Sequence, residues 1–370
     1  TGNTVYNPGN IGVADFNGDG FPGVYARDEI FDAVTGNKLR NSDFTNVPGD
    51  ANFLEKHLAN SGVAVDILAD GECADCDGLE LVVGGRIYSV NINRATFTAT
   101  MTLEKSIDYF PIYIPPWRQN RTGTSVADYN LDGFLDVLTT GREAADPIGF
   151  TRLYFWDVQN DNYVTYIDPT YNWDKGTGRI NIADVDGDGQ LNATYVTGRY
   201  LYCLDENWQQ LWRTGIIEQS SGTTGTTVFD FNGDGQFETV YRDEQFLYIV
   251  NGNDGSFYTS VACASLTYTE YPIVADVDAD GATEICVSCM TNNNGNIYND
   301  NDDAQIRIFE SNGEQWVPAR RIWNQHGYFN VNVNDDGTIP QEQQLHHLVF
   351  SSGICDAGER RPLNTFLNQS

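Results

Sequence analysis

Asp230-Phe-Asn232-Gly-Asp234-Gly-Gln236-Phe-Glu238 stands between two short apolar runs, Thr227-Val-Phe229 and Glu238-Thr-Val-Tyr241. Its oxygen-bearing side chains fall at positions one, three, five and nine, and the glycine at position six permits a sharp turn. Oxygen ligands at alternate positions around such a turn are what a hard cation of calcium's size requires. Three further stretches share the spelling: Asp128-Tyr-Asn130-Leu-Asp132-Gly-Phe134-Leu-Asp136, Asp184-Val-Asp186-Gly-Asp188-Gly-Gln190-Leu-Asn192 and Asp276-Val-Asp278-Ala-Asp280-Gly-Ala282-Thr-Glu284. A fifth, Asp15-Phe-Asn17-Gly-Asp19-Gly-Phe21-Pro-Gly23, lacks the last carboxylate. A sixth is degenerate: Asp70-Gly-Glu72-Cys-Ala-Asp75-Cys-Asp77-Gly-Leu-Glu80, with Asp70, Asp77 and Glu80 as its candidate ligands.

The first acids fall at 15, 70, 128, 184, 230 and 276, giving steps of 55, 58, 56, 46 and 46. Each loop is entered by an apolar strand such as Ile11–Ala14, Ser125–Ala127, Ile180–Ala183 or Ile273–Ala275, and left by another, such as Asp136–Thr139 or Glu284–Val287. A third run alternates apolar and polar residues: Arg86–Val90, Arg152–Trp156, Tyr200–Leu204, Phe246–Val250 and Gln305–Phe309. Period-two patterning bounded by Asn-Gly turns marks strands and hairpins. Gln210–Trp212 and Gln315–Val317 are candidates for a fourth, outer strand. Four antiparallel strands in each unit of this length describe a β-propeller blade. An EF-hand is excluded: its bidentate Glu at position twelve would fall on Ala26, Thr139, Tyr195, Tyr241 or Val287, and the flanks are strands rather than helices.

The pattern Asp-x-Asn/Asp-x-Asp-Gly-x-x-Asp/Glu between strands resembles the FG-GAP or VCBS-type repeat of integrin α-subunit propellers and bacterial surface proteins, over roughly residues 10 to 320. The resemblance implies calcium in the loop joining the first two strands of a blade. Side chains at positions one, three, five and nine would bind it, together with the backbone carbonyl at position seven: Phe21, Phe134, Gln190, Gln236 and Ala282. The sequence departs from that pattern at Gly23, at the neutral Asn192 and in the insertion at 70–80. The stretch Ala319–Tyr328, continuing through Asn332–Pro340 and ending at Leu363–Leu367, is similar to segments of large gliding-adhesin and type IX-secreted bacterial proteins.

Dividing 370 residues by the mean step of about 52 gives about seven units in a single propeller domain. The expected fold is all-β and seven-bladed, with six loop-bearing units over about 10–322. The closing blade is expected from about residue 323 to 370 together with a strand near Thr4-Val5-Tyr6, because joining the ends removes exposed sheet edges.

The net charge is −31, from 21 basic and 52 acidic residues, and six calcium ions would reduce it to about −19. Such a surface disfavours non-specific binding to nucleic acid or an anionic membrane. No run of 18 apolar residues is present, so no membrane insertion is expected. The chain begins with Thr1 and shows no signal peptide, which suggests a processed chain or a piece of a longer one. Of seven cysteines, Cys73/Cys76 and Cys286/Cys289 form Cys-x-x-Cys pairs. Zinc is disfavoured because the pairs lie in different units and Cys286 and Cys289 would point to opposite faces of a strand. A Cys73–Cys76 disulfide in an oxidising, extracellular setting is the preferred assignment.

Other features are assigned bland roles. The aromatic, proline-rich Tyr109–Arg118 reads as a strand and inter-blade connection rather than a ligand platform. Thr291–Asp303 reads as a solvated insertion, and Asp50–Asn60 as a short amphipathic helix capped by Asp50. Catalytic patterns are thin. The cluster Arg320, Arg321, His326, His346 and His347 reads as ring closure rather than a lyase-like site. The expectation is a non-enzymatic, calcium-stabilised module of a large bacterial surface protein, binding a surface protein or glycan beside neighbouring domains of its own chain. The alternatives are a polysaccharide lyase-like enzyme on the same scaffold and an architectural unit of a surface filament.

Overall fold

The computed structural model describes residues 10–26, 29–40, 61–107, 123–142, 151–167, 177–218, 224–265, 269–290, 305–348 and 363–369. The expectations for residues 4–6, 50–60, 109–118 and 291–303 lie outside them. Among the described residues all regular structure is strand, and no helix is long and apolar enough to cross a membrane.

Six antiparallel meanders follow one another along the chain. The first comprises β1 (Gly12–Ala14), β2 (Gly23–Ala26), β3 (Glu29–Asp32) and β4 (Lys38–Arg40). The second holds β5 (Val63–Val65), β6 (Glu80–Val82), β7 (Arg86–Asn93) and β8 (Thr98–Ser106). The third holds β9 (Thr124–Ala127), β10 (Asp136–Arg142), β11 (Thr151–Asp157) and β12 (Asn162–Ile167). The fourth holds β13 (Asn181–Ala183), β14 (Asn192–Thr197), β15 (Tyr200–Leu204) and β16 (Gln210–Gly215). The fifth holds β17 (Thr227–Phe229), β18 (Glu238–Arg242), β19 (Phe246–Val250) and β20 (Phe257–Ala262). The sixth has three strands: β21 (Ile273–Ala275), β22 (Glu284–Cys289) and β23 (Gln305–Phe309).

First strands of successive sheets lie side by side in the order β1, β5, β9, β13, β17, β21, which is the radial packing of a β-propeller. Position in the blade sets burial. The inner strands β5, β13 and β17 are three residues long and wholly buried, whereas the outer β20 is exposed along nearly its whole length. The core fills the spaces between blades. Trp156, Tyr129, Tyr202 and Phe366 lie in its largest cluster, which spans the second to fourth sheets and the C-terminal tail.

Of the two candidate outer strands, one holds and one does not. Gln210–Trp212 is the start of β16, but Gln315–Val317 is not a strand. Trp316 instead packs on Phe231 of the preceding blade, ring centroids 4.6 Å apart, and the Val317 amide donates to the Phe231 carbonyl at 3.1 Å. Pro318 then lacks the amide a ladder needs. Among the described residues nothing pairs with the outer edge of β23, where Ile306 is 82% exposed.

The closing blade expected at about 323–370 is likewise not seen among the described residues, where six sheets are present and 310–348 carries no strand. That segment is rich in Asn, Asp and Gln and lacks the alternation a sheet requires. Gln325 of that segment and the tail at 363–369 instead reach the first strands of the blades. The Gln325 side chain accepts from the Val13 amide at 2.8 Å, and Asn364 exchanges two 2.8 Å hydrogen bonds with the backbone of Asp128. Phe366 bridges to Ile182, Asn368 to Val228, and the Gln369 amide donates to the Val274 carbonyl at 3.1 Å. The tail thus satisfies backbone groups along the first strands of several sheets, a substitute for edge pairing.

Two disulfides are formed among the described residues. Cys73–Cys76 lies in the insertion of the second loop, as expected. Cys263–Cys289 ties the end of the fifth blade to the end of β22. That pairing removes Cys289 from any zinc site and leaves Cys286 and the buried Cys203 as thiols.

Candidate metal centres

All six loops join the first and second strands of their sheets, so they share one face of the propeller. The register is common to all: the residue before position one pairs with position nine, as Ala14↔Gly23, Ala127↔Asp136, Ala183↔Asn192, Phe229↔Glu238 and Ala275↔Glu284. In the second blade the equivalent pair is Val65↔Glu80. Position one there is therefore Asp66, and Asp70 takes position five. Gly71 at position six has φ +77°, like Gly20 (+82°), Gly133 (+96°), Gly189 (+90°), Gly235 (+84°) and Gly281 (+87°). The signal for Asp66 was its place directly after an apolar strand; Leu68 at position three and the disulfide-bearing insertion at 72–79 obscured it.

Backbone amides aim the carboxylates inward. Position one accepts the amide of position six: Asp15 from Gly20 (2.7 Å), Asp128 from Gly133 (2.9 Å), Asp184 from Gly189 (2.9 Å), Asp230 from Gly235 (2.8 Å) and Asp276 from Gly281 (3.3 Å). Position five accepts the amide of position seven, so Asp19, Asp132, Asp188, Asp234 and Asp280 hold Phe21, Phe134, Gln190, Gln236 and Ala282 at 2.8–3.0 Å. Position nine reaches back to the amide of position two in five loops. Glu80 receives Ile67, Asp136 receives Tyr129, Asn192 receives Val185, Glu238 receives Phe231 and Glu284 receives Val277. Gly23 cannot make this bond. At position three, Asn17, Asn130 and Asn232 donate to the carboxylates of Asp19, Asp132 and Asp234. Outside the second loop, position four is left-handed even where it is not glycine: Leu131 has φ +58° and Ala279 +67°. That conformation costs about 1 kcal/mol or more per residue, so the loop shape is imposed against local preference.

The arrangement fits a cation. Asp184, Asp186 and Asp188 bring ligand oxygens within 4.8 Å of one another, as do Asp276, Asp278 and Glu284. Asp184 Oδ1, Asp186 Oδ1, Asp276 Oδ1 and Glu80 Oε1 are buried with no hydrogen-bond donor. Burial pushes the Asp136 carboxyl up to about 8, helped by Asp132 and Asp128, and that of Glu238 to about 7, helped by Asp230 and Asp234. Glu80 is pushed to about 8 by burial and Asp66, and Asp66 to about 6 by burial and Asp70. Asp184, Asp186 and Glu284 are raised by burial and by neighbouring carboxylates. A divalent ion would relieve both the repulsion and the unfilled oxygen valences. The exposed Asp77 merely accepts the Gly71 amide at 3.1 Å.

Adjacent loops are joined. Phe16 O accepts the Leu79 amide at 2.9 Å and Val185 O the Phe237 amide at 3.2 Å. Tyr129 stacks on Trp208 of the next blade at 5.0 Å. A seventh copy, unrecognised in the sequence, lies at Asn332-Val-Asn334-Asp-Asp336-Gly337-Thr338. Gly337 has φ +83°, and Asp336 accepts the Thr338 amide at 3.0 Å. Here Asn332 turns away to donate to Gly327 O, and Asn334 and Thr338 close the turn through their backbones. With Asn at position one and no acid at position nine, it lacks a ligand set.

The basic cluster does not assemble a site. Arg320 donates to the carbonyls of Asn330 and Val333 and pairs with Asp335 at 2.7 Å. His326, pushed down to about 3 by burial and Arg179, is held between Arg179 and Thr269 O. His346 is buried against Phe329, rings 4.8 Å apart.

No protein-family model matches the chain, and no curated protein is similar to it in sequence. Among solved structures, the V. cholerae biofilm matrix protein Bap1 is similar over 98% of this chain and 76% of its own, at 13% identity and TM-score 0.62. BBS1N in complex with ARL6DN aligns over 92% of this chain and 88% of its own, at 11% identity and TM-score 0.45. BamB from Moraxella catarrhalis aligns over 83% of this chain and 77% of its own, at 15% identity and TM-score 0.39. At these identities the likeness to Bap1 is one of fold, and the chain has the β-propeller architecture that its sheets describe.

Proposed function

We propose that this chain is a calcium-stiffened propeller serving as an extracellular binding or adhesion module of a bacterial surface protein. The observation that carries this is the set of buried, donor-free carboxylate oxygens in loops whose other oxygens are already aimed by backbone amides. The third to sixth loops keep the full donor pattern and would hold one ion each through positions one, three, five and nine. The second loop offers the reduced set Asp66, Asp70 and Glu80. Because the ion's ligands come from both strands of the inner hairpin and the loops are joined across blades, calcium would stiffen the face as a unit. The 328–340 segment, with its seventh turn, is the remnant of a seventh unit in this reading.

Partner binding is the role this reading favours: among the described histidines, His326 is held between Arg179 and Thr269 O, and His346 is buried against Phe329. The two disulfides favour an oxidising compartment, and the fold shared with a biofilm matrix protein supports an extracellular setting. The test is adhesion of the purified chain to bacterial surface polysaccharides and glycan arrays, in calcium and in chelator. Saturable, calcium-dependent retention is expected. Release of unsaturated sugar products would instead make it a lyase.

A further inference from the structure

We propose that the first loop takes no metal ion because Arg94 of the neighbouring blade supplies its positive charge, locking the first blade to the second without calcium. This rests on the calcium reading of the other loops but concerns different residues.

Arg94 follows β7 in the tight turn to β8, where Asn93 Oδ1 accepts the amides of Ala95 and Thr96 at 3.0 and 3.2 Å. That cap fixes the turn beneath the first loop. From there Arg94 Nε donates to Asp19 Oδ2 at 2.9 Å and Nη2 to Asp19 Oδ1 at 3.4 Å. Nη2 also donates to Phe21 O, and Nη1 to Asp32 Oδ2. The Asp19 carboxylate and the Phe21 carbonyl are the position-five and position-seven oxygens that calcium would require. A guanidinium and a calcium ion cannot both stand on them. The rest of the loop agrees. Gly23 removes the position-nine carboxylate. Asp32 lies directly across the strand pair from Gly23, so a carboxylate is retained beside position nine but aimed at Arg94.

Burial raises Asp15 as it raises Asp184, and the two loops part only where Arg94 stands. Burial alone would raise Asp19, yet hydrogen bonds from Arg94, Asn17 and the Phe21 amide hold its carboxyl below the usual range. Asp32 is lowered by the Thr35 amide and hydroxyl and by Arg94. Asp184 and Asp186 are raised, and among the described residues no basic side chain stands on them. In the sixth loop Arg321 makes one 3.4 Å contact to Asp276 from a position 64% exposed, leaving Asp276 Oδ1 without a donor. The guanidinium's five fixed donors and permanent charge suit a planar set of carboxylate and carbonyl oxygens.

The test counts calcium ions on the full chain by native mass spectrometry, comparing wild type with the equivalent position-five variants Asp19→Asn and Asp188→Asn. D188N is expected to lose one ion and D19N none. Loss of one ion in D19N as well would overturn the proposal. Should wild type bind no calcium, the proposed function fails, and Arg94 is then judged by the second variant alone. Arg94→Gln is expected to lower Tm in chelator by about 2 °C or more. An unchanged Tm in chelator would refute the lock.

Discussion

The first and fourth loops share their turn geometry and differ in what stands on their oxygens, although burial raises Asp15 as it raises Asp184. Both turn through a left-handed glycine at position six and both hand that amide to the acid at position one. In the first, Arg94 stands on the oxygens and, with the Phe21 and Thr35 amides, helps lower Asp19 and Asp32; in the fourth, burial and neighbouring carboxylates raise Asp184 and Asp186, and one oxygen of each finds no donor. A repeat can therefore keep its shape while changing the source of its positive charge. The shape comes from amide-to-carboxylate bonds within the loop, and the charge from whatever lies above it.

Removing calcium separates the two kinds of loop most strongly. At 10 mM calcium and the weak affinities of extracellular modules, each occupied loop contributes about 1.4–2.7 kcal/mol, so four contribute roughly 6–11 kcal/mol. A chelator should lower the melting temperature by on the order of 10 °C or more, as read by circular dichroism. An unchanged melting curve would sink the calcium assignment.

Next in size is the metal-independent tie between the fifth and sixth blades. Replacing Cys263 and Cys289 by Ser should cost about 3.5 kcal/mol from the 26-residue separation, equally with and without calcium in denaturant unfolding. A loss seen only in chelator would mean that the disulfide acts through the sixth loop.

Single substitutions then sharpen the contrast by sign. Asp186→Asn should lose about 1.4–2.7 kcal/mol in calcium but gain stability in chelator, because it relieves repulsion among the three acids. Asp19→Asn should lose about 1–2 kcal/mol in both conditions, since it weakens charge-assisted bonds to Arg94. Identical behaviour of the two variants would erase the distinction.

The smallest effect is in pH. Asp136 and Glu238, at about 8 and 7 in the folded, calcium-free chain, titrate above their unfolded values. The calcium-free fold binds protons more tightly than the unfolded chain, so these groups stabilise it as pH falls through 8 and 7. Calcium competes with those protons. The Tm difference between calcium and chelator should therefore shrink from pH 8 to pH 5, and a growing difference would contradict the burial of these ligands.

Much of this was legible from residue order. The alternation in Tyr200–Leu204 and Phe246–Val250 located the third strands because each blade buries a fixed face, and the Asp-x-Asn-x-Asp-Gly spelling located five loops. What failed depended on contacts distant in sequence. Gln315–Val317 has strand composition, but Trp316 is drawn to Phe231 of the previous blade. The Cys263–Cys289 bond needs two blades to meet. Asp66 was passed over because an apolar residue and a disulfide loop interrupt its repeat, and Asn332–Thr338 because amides replace its acids. Arg94 carries no pattern of its own; only the turn that points it across the blade boundary makes it part of the first loop.

The most direct measurement is long-wavelength anomalous diffraction from crystals grown in calcium. Peaks are expected inside the third, fourth, fifth and sixth loops, among the side chains at positions one, three, five and nine, with none between Asp15 and Asp19. Loops without peaks, or an ion in the first loop with Arg94 displaced, would contradict the account.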